Sequence, residues 1–341
     1  IQKIILYRSK KIIDIELNDS VSMFPMHSVK GYIAVLRSKV LFVQHSIWLD
    51  FPAFHINIVL MLNLSVRHAV NLWHGIALKS VSAESTGIDF APINLEKKTQ
   101  YIIASSYNDK LVMANAFYPV NPNRVIITGS PRNDVLKQEE QVLSIYYKNQ
   151  LEKIRRKVGK RKLIVYAPTY REINVGGENY EFSIEEVRIL RKFLMDNNAV
   201  MAFRLHYHNR TVSYDKLFEE ELFIDLGQEV VSDISMIIRE ADLIISDYSG
   251  LVVDSLYADV PVLLFVYDYN HYMTSQRGFS YPLQLTSAYP LCYNFKELVI
   301  LMQQVSSSKE LANTNSVKEL FFKYDDAKNS ERIIKYLKNL D

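Results

Sequence analysis

The sequence predicts an α/β protein of two Rossmann-like units whose parallel sheets face a central cleft. Short apolar or β-branched runs alternate with segments of helical period, the pattern of parallel strands joined by crossover helices. The alternation comes in two series, separated by a charged stretch near residue 150. Polar residues interrupt the ends of several runs, and the carboxyl edges of open parallel sheets are where such folds hold ligands. The 341 residues suffice for two domains, with 48% apolar residues to build their cores and 23% charged residues to keep the surface wet.

The first series has strand candidates near Val40 to Gln44, His68 to Leu72, Tyr101 to Ala104 and Val125 to Thr128, and closes with the turn Gly129-Ser130-Pro131-Arg132-Asn133-Asp134. A charged helical stretch over about Gln138 to Lys160 follows. The second series begins at Leu163-Ile164-Val165-Tyr166 and continues through Val200 to Leu205, Leu222 to Asp225, Leu243 to Ile245 and Val262 to Val266. From Lys318 onward the chain is helical and charged. The expected organisation is a first unit over 1–150, a second over 151–325 and a C-terminal helix over 326–341. No internal repeat, low-complexity tract or Pro/Gly linker interrupts it.

Composition removes several function classes. Forty basic against 38 acidic residues leave a formal net charge of +2, so no overall field draws the chain to nucleic acid. A single cysteine, Cys292, excludes an internal disulfide framework and a cysteine-based zinc site, and fits a reducing cytoplasm. No apolar run reaches the roughly 18 to 20 residues of a membrane-spanning helix, and Ile1-Gln2-Lys3-Ile4-Ile5 lacks a signal-peptide pattern. The first residue is not Met, which suggests a start inside a longer chain or trimming. Abundant Tyr and Phe, 22 and 16, with many Lys, suit peripheral contact with a bilayer as well as half-buried packing. Neither Gly-x-Gly-x-x-Gly nor Gly-x-x-x-x-Gly-Lys-Ser/Thr occurs, so phosphate is not held as in a dinucleotide dehydrogenase or a P-loop ATPase.

The richest stretch runs from Ala241 to Asp254, where the apolar Leu243-Ile244-Ile245 stops at Ser246-Asp247-Tyr248-Ser249-Gly250 and a second apolar period begins. A strand feeding a helix leaves the first helical amides unpaired at the sheet's carboxyl edge, a seat for phosphate. Ser249 either caps that helix or meets a phosphate oxygen. Trp73-His74-Gly75 follows another apolar run, with Lys79 five positions beyond His74. An imidazole titrating near neutrality can take the proton of an attacking hydroxyl while Lys79 balances phosphate charge; the competing reading is a packed, hydrogen-bonded histidine.

After the run Val200-Met201-Ala202-Phe203, a period of two aims Arg204, His206 and His208 to one side if the extended backbone persists. Two histidines at i, i+2 can bind a metal, but no acid or thiol nearby completes the site and Arg204 repels a cation, so phosphate is the better ligand. Thr169 and Arg171, in Tyr166-Ala167-Pro168-Thr169-Tyr170-Arg171-Glu172, offer a hydroxyl and a donor fork, or an exposed Arg beyond a Pro turn. Past Val266, the polar loop reaching Gln276-Arg277-Gly278 is long enough to cover a ligand, with Arg277 available to a pyrophosphate, or is simply a surface loop.

Taken in order, Trp73-His74-Gly75 with Lys79, Ser105-Ser106, Gly129 to Asp134, Tyr166 to Arg171, Arg204-Leu205-His206, Ser246 to Ser249 with Asp254, and Arg277-Gly278-Phe279 resemble the CDP-glycerol glycerophosphotransferases of teichoic acid synthesis and related polyol-phosphate capsule polymerases. The resemblance spans about Asn71 to Gly278. It implies a GT-B fold, a catalytic base at His74, and His206, Arg204, Ser249 and Arg277 near the phosphates of a CDP-polyol. On the same implication His206 is a second catalytic residue, and Lys79, Arg132, Thr169, Arg171, Asp247, Gly250 and Asp254 contact substrate. Tyr207 stands where the pattern often has Pro, and Gly250 where it has a second Ser.

The reaction so implied is in-line attack by an acceptor hydroxyl on the β-phosphorus of CDP-glycerol or CDP-ribitol, with CMP leaving. The acceptor is a lipid-linked or polymeric glycan, and the place of work is the cytoplasm, at the inner membrane face if peripheral contact holds. No cofactor is firmly implied; Mg²⁺ stays open through Asp247 or Asp254. The alternatives are a GT-B glycosyltransferase using a nucleotide sugar and a non-catalytic glycan-binding module.

Overall fold

The computed structural model describes residues 3–7, 21–26, 28–45, 50, 67–79, 100–169, 180–205, 212–275, 279–307 and 314–340. The chain opens with strands β1 (Lys3–Tyr7) and β2 (Val21–Pro25), a parallel pair. Helix α1 (Val29–Arg37) follows, its first turn capped by the Ser28 hydroxyl, which accepts from the Gly31 amide. Four parallel strands then form the first large sheet in sequence order: β3 (Val40–Val43), β4 (His68–Asn71), β5 (Tyr101–Ala104) and β6 (Val125–Ile127). Helix α2 (Tyr107–Ala116) lies between β5 and β6, capped by Ser106.

Beyond the Gly129–Asp134 turn come the short α3 (Asp134–Lys137) and the long α4 (Ile145–Val158). The second sheet is built from β7 (Lys162–Tyr166), β8 (Ala199–Phe203), β9 (Phe223–Asp225), β10 (Leu243–Ser246) and β11 (Val262–Leu264) in the order β11-β10-β7-β8-β9, all parallel. The intervening helices are α5 (Ile184–Asp196), α6 (Val212–Leu217), α7 (Ile234–Glu240) and α8 (Leu251–Tyr257). Helices α9 (Tyr269–Ser275), α10 (Phe295–Ser307), α11 (Asn315–Phe321) and α12 (Asn329–Lys338) complete the chain.

The central strands β5, β8 and β10 are buried throughout on both faces, as parallel sheets covered by helices require. Leu163 and Val165 face one core with Leu151 and Ile154 of α4, Ile237 of α7 and Val253 of α8. Ile164 and Tyr166 face the opposite core with Leu190 and Leu194 of α5 and Leu298 and Met302 of α10. In the first sheet Ile102 and Ala104 pack against Met113 and Ala116 of α2. Its other face, through Val70, Tyr101, Ile103 and Ile126, is covered by Ile333 and Leu337 of α12, so the chain returns to its first sheet to finish.

One helical expectation is corrected and another is refined. The stretch foreseen from Gln138 becomes helical only at Ile145, because Gln138, Glu139, Leu143 and Ser144 hold extended or non-helical backbone around a short 3-10 turn at Glu140–Val142. It ends at Gly159, whose φ of 67° stops the helix. The segment from Lys318 is two helices, α11 and α12, parted by a non-helical stretch in which Ala327 takes a φ of 57° and donates its amide to the Tyr257 hydroxyl at 3.1 Å.

Candidate functional site

Strand order fixes where a ligand can enter the second sheet. The chain leaves β7 for β8 and β9 on one side, then crosses to β10 and β11 on the other, so the order reverses between β7 and β10. Such a switch point opens a crevice beyond the strands' carboxyl ends. The two loops meeting there are stitched together: the Ser246 hydroxyl donates to the Ala167 carbonyl at 2.7 Å, and Asp247 Oδ1 accepts from the amides of Thr169 at 2.8 Å and Tyr248 at 2.6 Å. Ser249 turns its hydroxyl to the Leu251 amide at 3.3 Å, and Gly250 is the residue that precedes α8.

The first sheet brings His74 to the same seam. At the end of β4 the fully buried Asn71 accepts the Trp73 amide at 2.9 Å and donates to the His45 carbonyl at 2.7 Å. That clamp forces a tight turn, with Trp73 at a φ of 49° and Gly75 at 129°, a conformation side chains rarely tolerate. The turn pushes His74 outward against the Trp73 ring, centroids 4.0 Å apart, while Trp73 meets Phe117 edge-on at 5.0 Å. His74 is exposed at its edge, yet partial desolvation, then His45, then Arg132 hold its pKa below the ordinary 6.5. The imidazole is therefore neutral at pH 7 and free to accept a proton.

His45 is a residue that sequence reasoning missed. It follows β3 as His74 follows β4, its ring 5.4 Å from that of His74 and its Nδ1 3.4 Å from Asp50 Oδ1. The signal was a histidine directly after a strand on the same sheet edge.

Between the units lies Arg132. One terminal nitrogen donates to the His74 carbonyl, and the other to Asp254 Oδ2 at 2.6 Å. Asp254 projects from α8 and is buried; that burial outweighs the pull of Arg132 and, with Asp233 adding repulsion, pushes its pKa up to about 6. The rest of the Gly129–Asp134 turn serves the fold: Asp134 caps α12, accepting the amides of Asn329 at 2.9 Å and Ser330 at 2.8 Å.

The seam is closed nearby by main chain. Lys79 and Phe279 form an antiparallel bridge, and Ser280 donates its amide to the Leu78 carbonyl at 2.8 Å. Lys79 Nζ lies 5.4 Å over the Tyr272 ring, which stacks on Tyr248 at 3.7 Å. A Cβ on Gly250 would come 3.7 Å from the Ile76 carbonyl, so the phosphate-seat loop and the histidine loop adjoin.

The structure thus brings His74, Lys79, Arg132, Asp247, Ser249, Gly250 and Asp254 to one seam, with Thr169 joined through its amide. Arg204 sits beside them, but its guanidinium is spent on carbonyls: Leu226 at 3.0 Å, Ser232 at 3.3 Å, and Val231. His206, His208, Arg171 and Arg277 lie outside the described residues. The carboxylates considered for Mg²⁺ are both committed, Asp247 to backbone amides and Asp254 to a guanidinium, and among the described residues no group of three or more His, Cys, Asp or Glu gathers to hold a metal.

Comparison with known proteins identifies the family and the fold. The chain is 29% identical over 279 residues to the teichoic acid ribitol-phosphate polymerase TarL of Staphylococcus aureus, covering 80% of this chain and 48% of TarL. It is 25% identical to the teichoic acid glycerol-phosphate transferase of the same organism, over 76% of this chain and 68% of that protein. It spans about half the length of TarL and of TarK, a second ribitol-phosphate polymerase. Among solved structures, the wall teichoic acid polymerase TagF superposes with a TM-score of 0.72 at 21% identity, over 99% of this chain and 81% of TagF. A UDP-N-acetylglucosamine 2-epimerase from Listeria monocytogenes superposes at 0.55 and 13% identity, over 95% and 83% of the two chains. These likenesses establish the GT-B-type fold. The sequence profile described as CDP-Glycerol:Poly(glycerophosphate) glycerophosphotransferase matches residues 3–339, and the chain belongs to that family.

Proposed function

We propose that the protein transfers a polyol phosphate, glycerol phosphate in the first instance, from its CDP-activated form to a hydroxyl of a lipid-linked or polymeric glycan, releasing CMP in teichoic acid synthesis. The observation that carries this reading is an exposed, neutral histidine, on a turn held by Asn71 and Gly75, beside the crevice of a second parallel sheet.

His74 takes the acceptor's hydroxyl proton as that oxygen attacks the β-phosphorus. The new P–O bond forms as the bond from the β-phosphorus to the bridging oxygen breaks, and CMP departs with the bridging oxygen and its electron pair. Lys79, the Ser249 hydroxyl, the Thr169 loop and, by family resemblance, His206, Arg171 and Arg277 neutralise charge on the pyrophosphate, with Arg204 holding the 226–232 loop beside them. Fixed electrostatic stabilisation of this kind usually supplies the largest share of such a rate enhancement. Work at the inner face of the membrane suits a nucleotide donor and a free, buried Cys292; among the described residues no helix is long and apolar enough to cross a bilayer.

Ribitol is a second donor polyol to be weighed, because TarL and TarK are ribitol-phosphate polymerases. The test is CMP release from CDP-glycerol and, separately, CDP-ribitol with a membrane extract as acceptor, comparing wild type with His74→Ala. Release from one donor, lost in the variant, supports the reading and names the polyol. Nucleotide binding without release from either turns it toward sugar transfer or a silent binding module.

A further inference from the structure

We infer that Arg132 and Asp254 are positioning residues that hold the His74 turn in register with the second unit, rather than ligands of the donor. The inference rests on the proposed role of His74 as base. Three observations carry it. Both terminal nitrogens of Arg132 are occupied within the protein, one by the His74 carbonyl and the other by Asp254 Oδ2 at 2.6 Å. A Cβ on Gly75 would lie 3.2 Å from Arg132 Nη1, so the guanidinium is packed against the strained turn itself. The Asp254 side chain is only 8% exposed, which makes it a fixed anchor inside the second unit.

The geometry has a direct mechanical reading. A planar guanidinium holds two acceptors at a set separation, which a lysine ammonium on its flexible stem does not reproduce. With the His74 carbonyl tied, the backbone that launches the imidazole is fixed relative to α8 and the loop before it. Because the tie runs between units, the base is aligned only when the two halves of the cleft are in contact. The charged and titratable groups acting on this cluster are His45 and Arg132 on His74, and Arg132 and Asp233 on Asp254.

The test uses the full chain and Arg132→Gln, Arg132→Lys and Asp254→Asn, measuring kcat and KM for CMP release, Kd for CDP-glycerol by calorimetry, and the His74 imidazole by NMR titration. A misplacement of the base on the order of 1 Å costs about 10²-fold, so kcat falls by that order in Arg132→Gln while Kd stays within about threefold. Removing the neighbouring positive charge also raises the His74 pKa. Arg132→Lys keeps the charge and leaves that pKa in place, yet loses about tenfold in kcat, and Asp254→Asn behaves likewise. The inference is overturned if Arg132→Gln weakens Kd in step with kcat/KM at unchanged kcat, or if Arg132→Lys matches wild type. Should Arg132→Gln fail to fold, the other two variants decide. Should wild type release no CMP from either CDP-polyol, the functional reading fails by itself, and the ring-current shift of His74 against Trp73 decides instead: displaced in Arg132→Lys it sustains the positioning role, unmoved it removes it.

Discussion

Gly129 and Asn329 approach so closely that a Cβ on Gly129 would fall 2.0 Å from Asn329 Oδ1. The glycine also holds a φ of 79°, so two constraints act at one position. Gly129→Ala is therefore expected to lower stability by about 2 kcal/mol or more, since a left-handed backbone and a core clash each cost on the order of 1–3 kcal/mol. Gly250→Ala provides the contrast: its φ of −59° suits any residue and its Cβ would make only an ordinary 3.7 Å contact, so its melting temperature should match or slightly exceed wild type. Thermal unfolding of the two variants side by side checks both.

Asp134 caps a helix 195 residues away in sequence. Asp134→Ala removes both acceptors from the start of α12, and loss of a cap typically costs about 1 kcal/mol, up to about 2. Denaturant unfolding should show that loss, with Asp134→Asn recovering part of it because one acceptor oxygen remains.

With His74 as the base proposed above, its depressed pKa would set the acidic side of the activity profile. A base works when deprotonated, so kcat/KM should hold as pH drops from 8 to 7 and fall only below 6.5, the ordinary histidine value. His74→Ala should lower kcat by about 10²- to 10⁴-fold and abolish that limb. A profile whose acidic midpoint lies above 6.5 would speak against His74 as the base.

Asp109, buried near the start of α2 with Oδ2 on the Ser105 amide and no hydrogen bond at Oδ1, is driven by burial to a pKa of about 7. The unfolded carboxyl titrates near 3.8, so between pH 3.8 and 7 the folded state holds a proton that the unfolded state has lost. Stability from this group falls as pH rises through that window and levels off above 7. Asp109→Asn should gain on wild type from pH 5 to pH 7 and then run parallel, as read from urea midpoints at each pH.

The sequence made the layered α/β architecture legible because parallel strands buried on both faces leave continuous apolar runs. Tyr101–Ala104 emerged at its full extent, and the neighbouring strands within a residue or two. The polar residues after β4 and β10 stood out because each interrupts an apolar run at the end of a strand, and the structure brings the two loops together. What stayed hidden depended on distant partners. Nothing local to Arg132 distinguishes a guanidinium aimed at phosphate from one tied to His74 and Asp254, and nothing local to Arg204 reveals that three carbonyls of the 226–232 loop await it. His45 was masked by its separation from His74, which only the pairing of β3 with β4 removes.

The return of α12 to the first sheet bears on biosynthesis. Ile333 and Leu337 cover Val70, Ile103 and Ile126, so that core is completed by a helix that follows the whole second sheet in sequence. While the second unit is still emerging from the ribosome, this face of the first sheet lacks the helix that seals it. Folding of the two halves is thus coupled across the second sheet: a cut between the sheets would leave the earlier half with an apolar face exposed to aggregation.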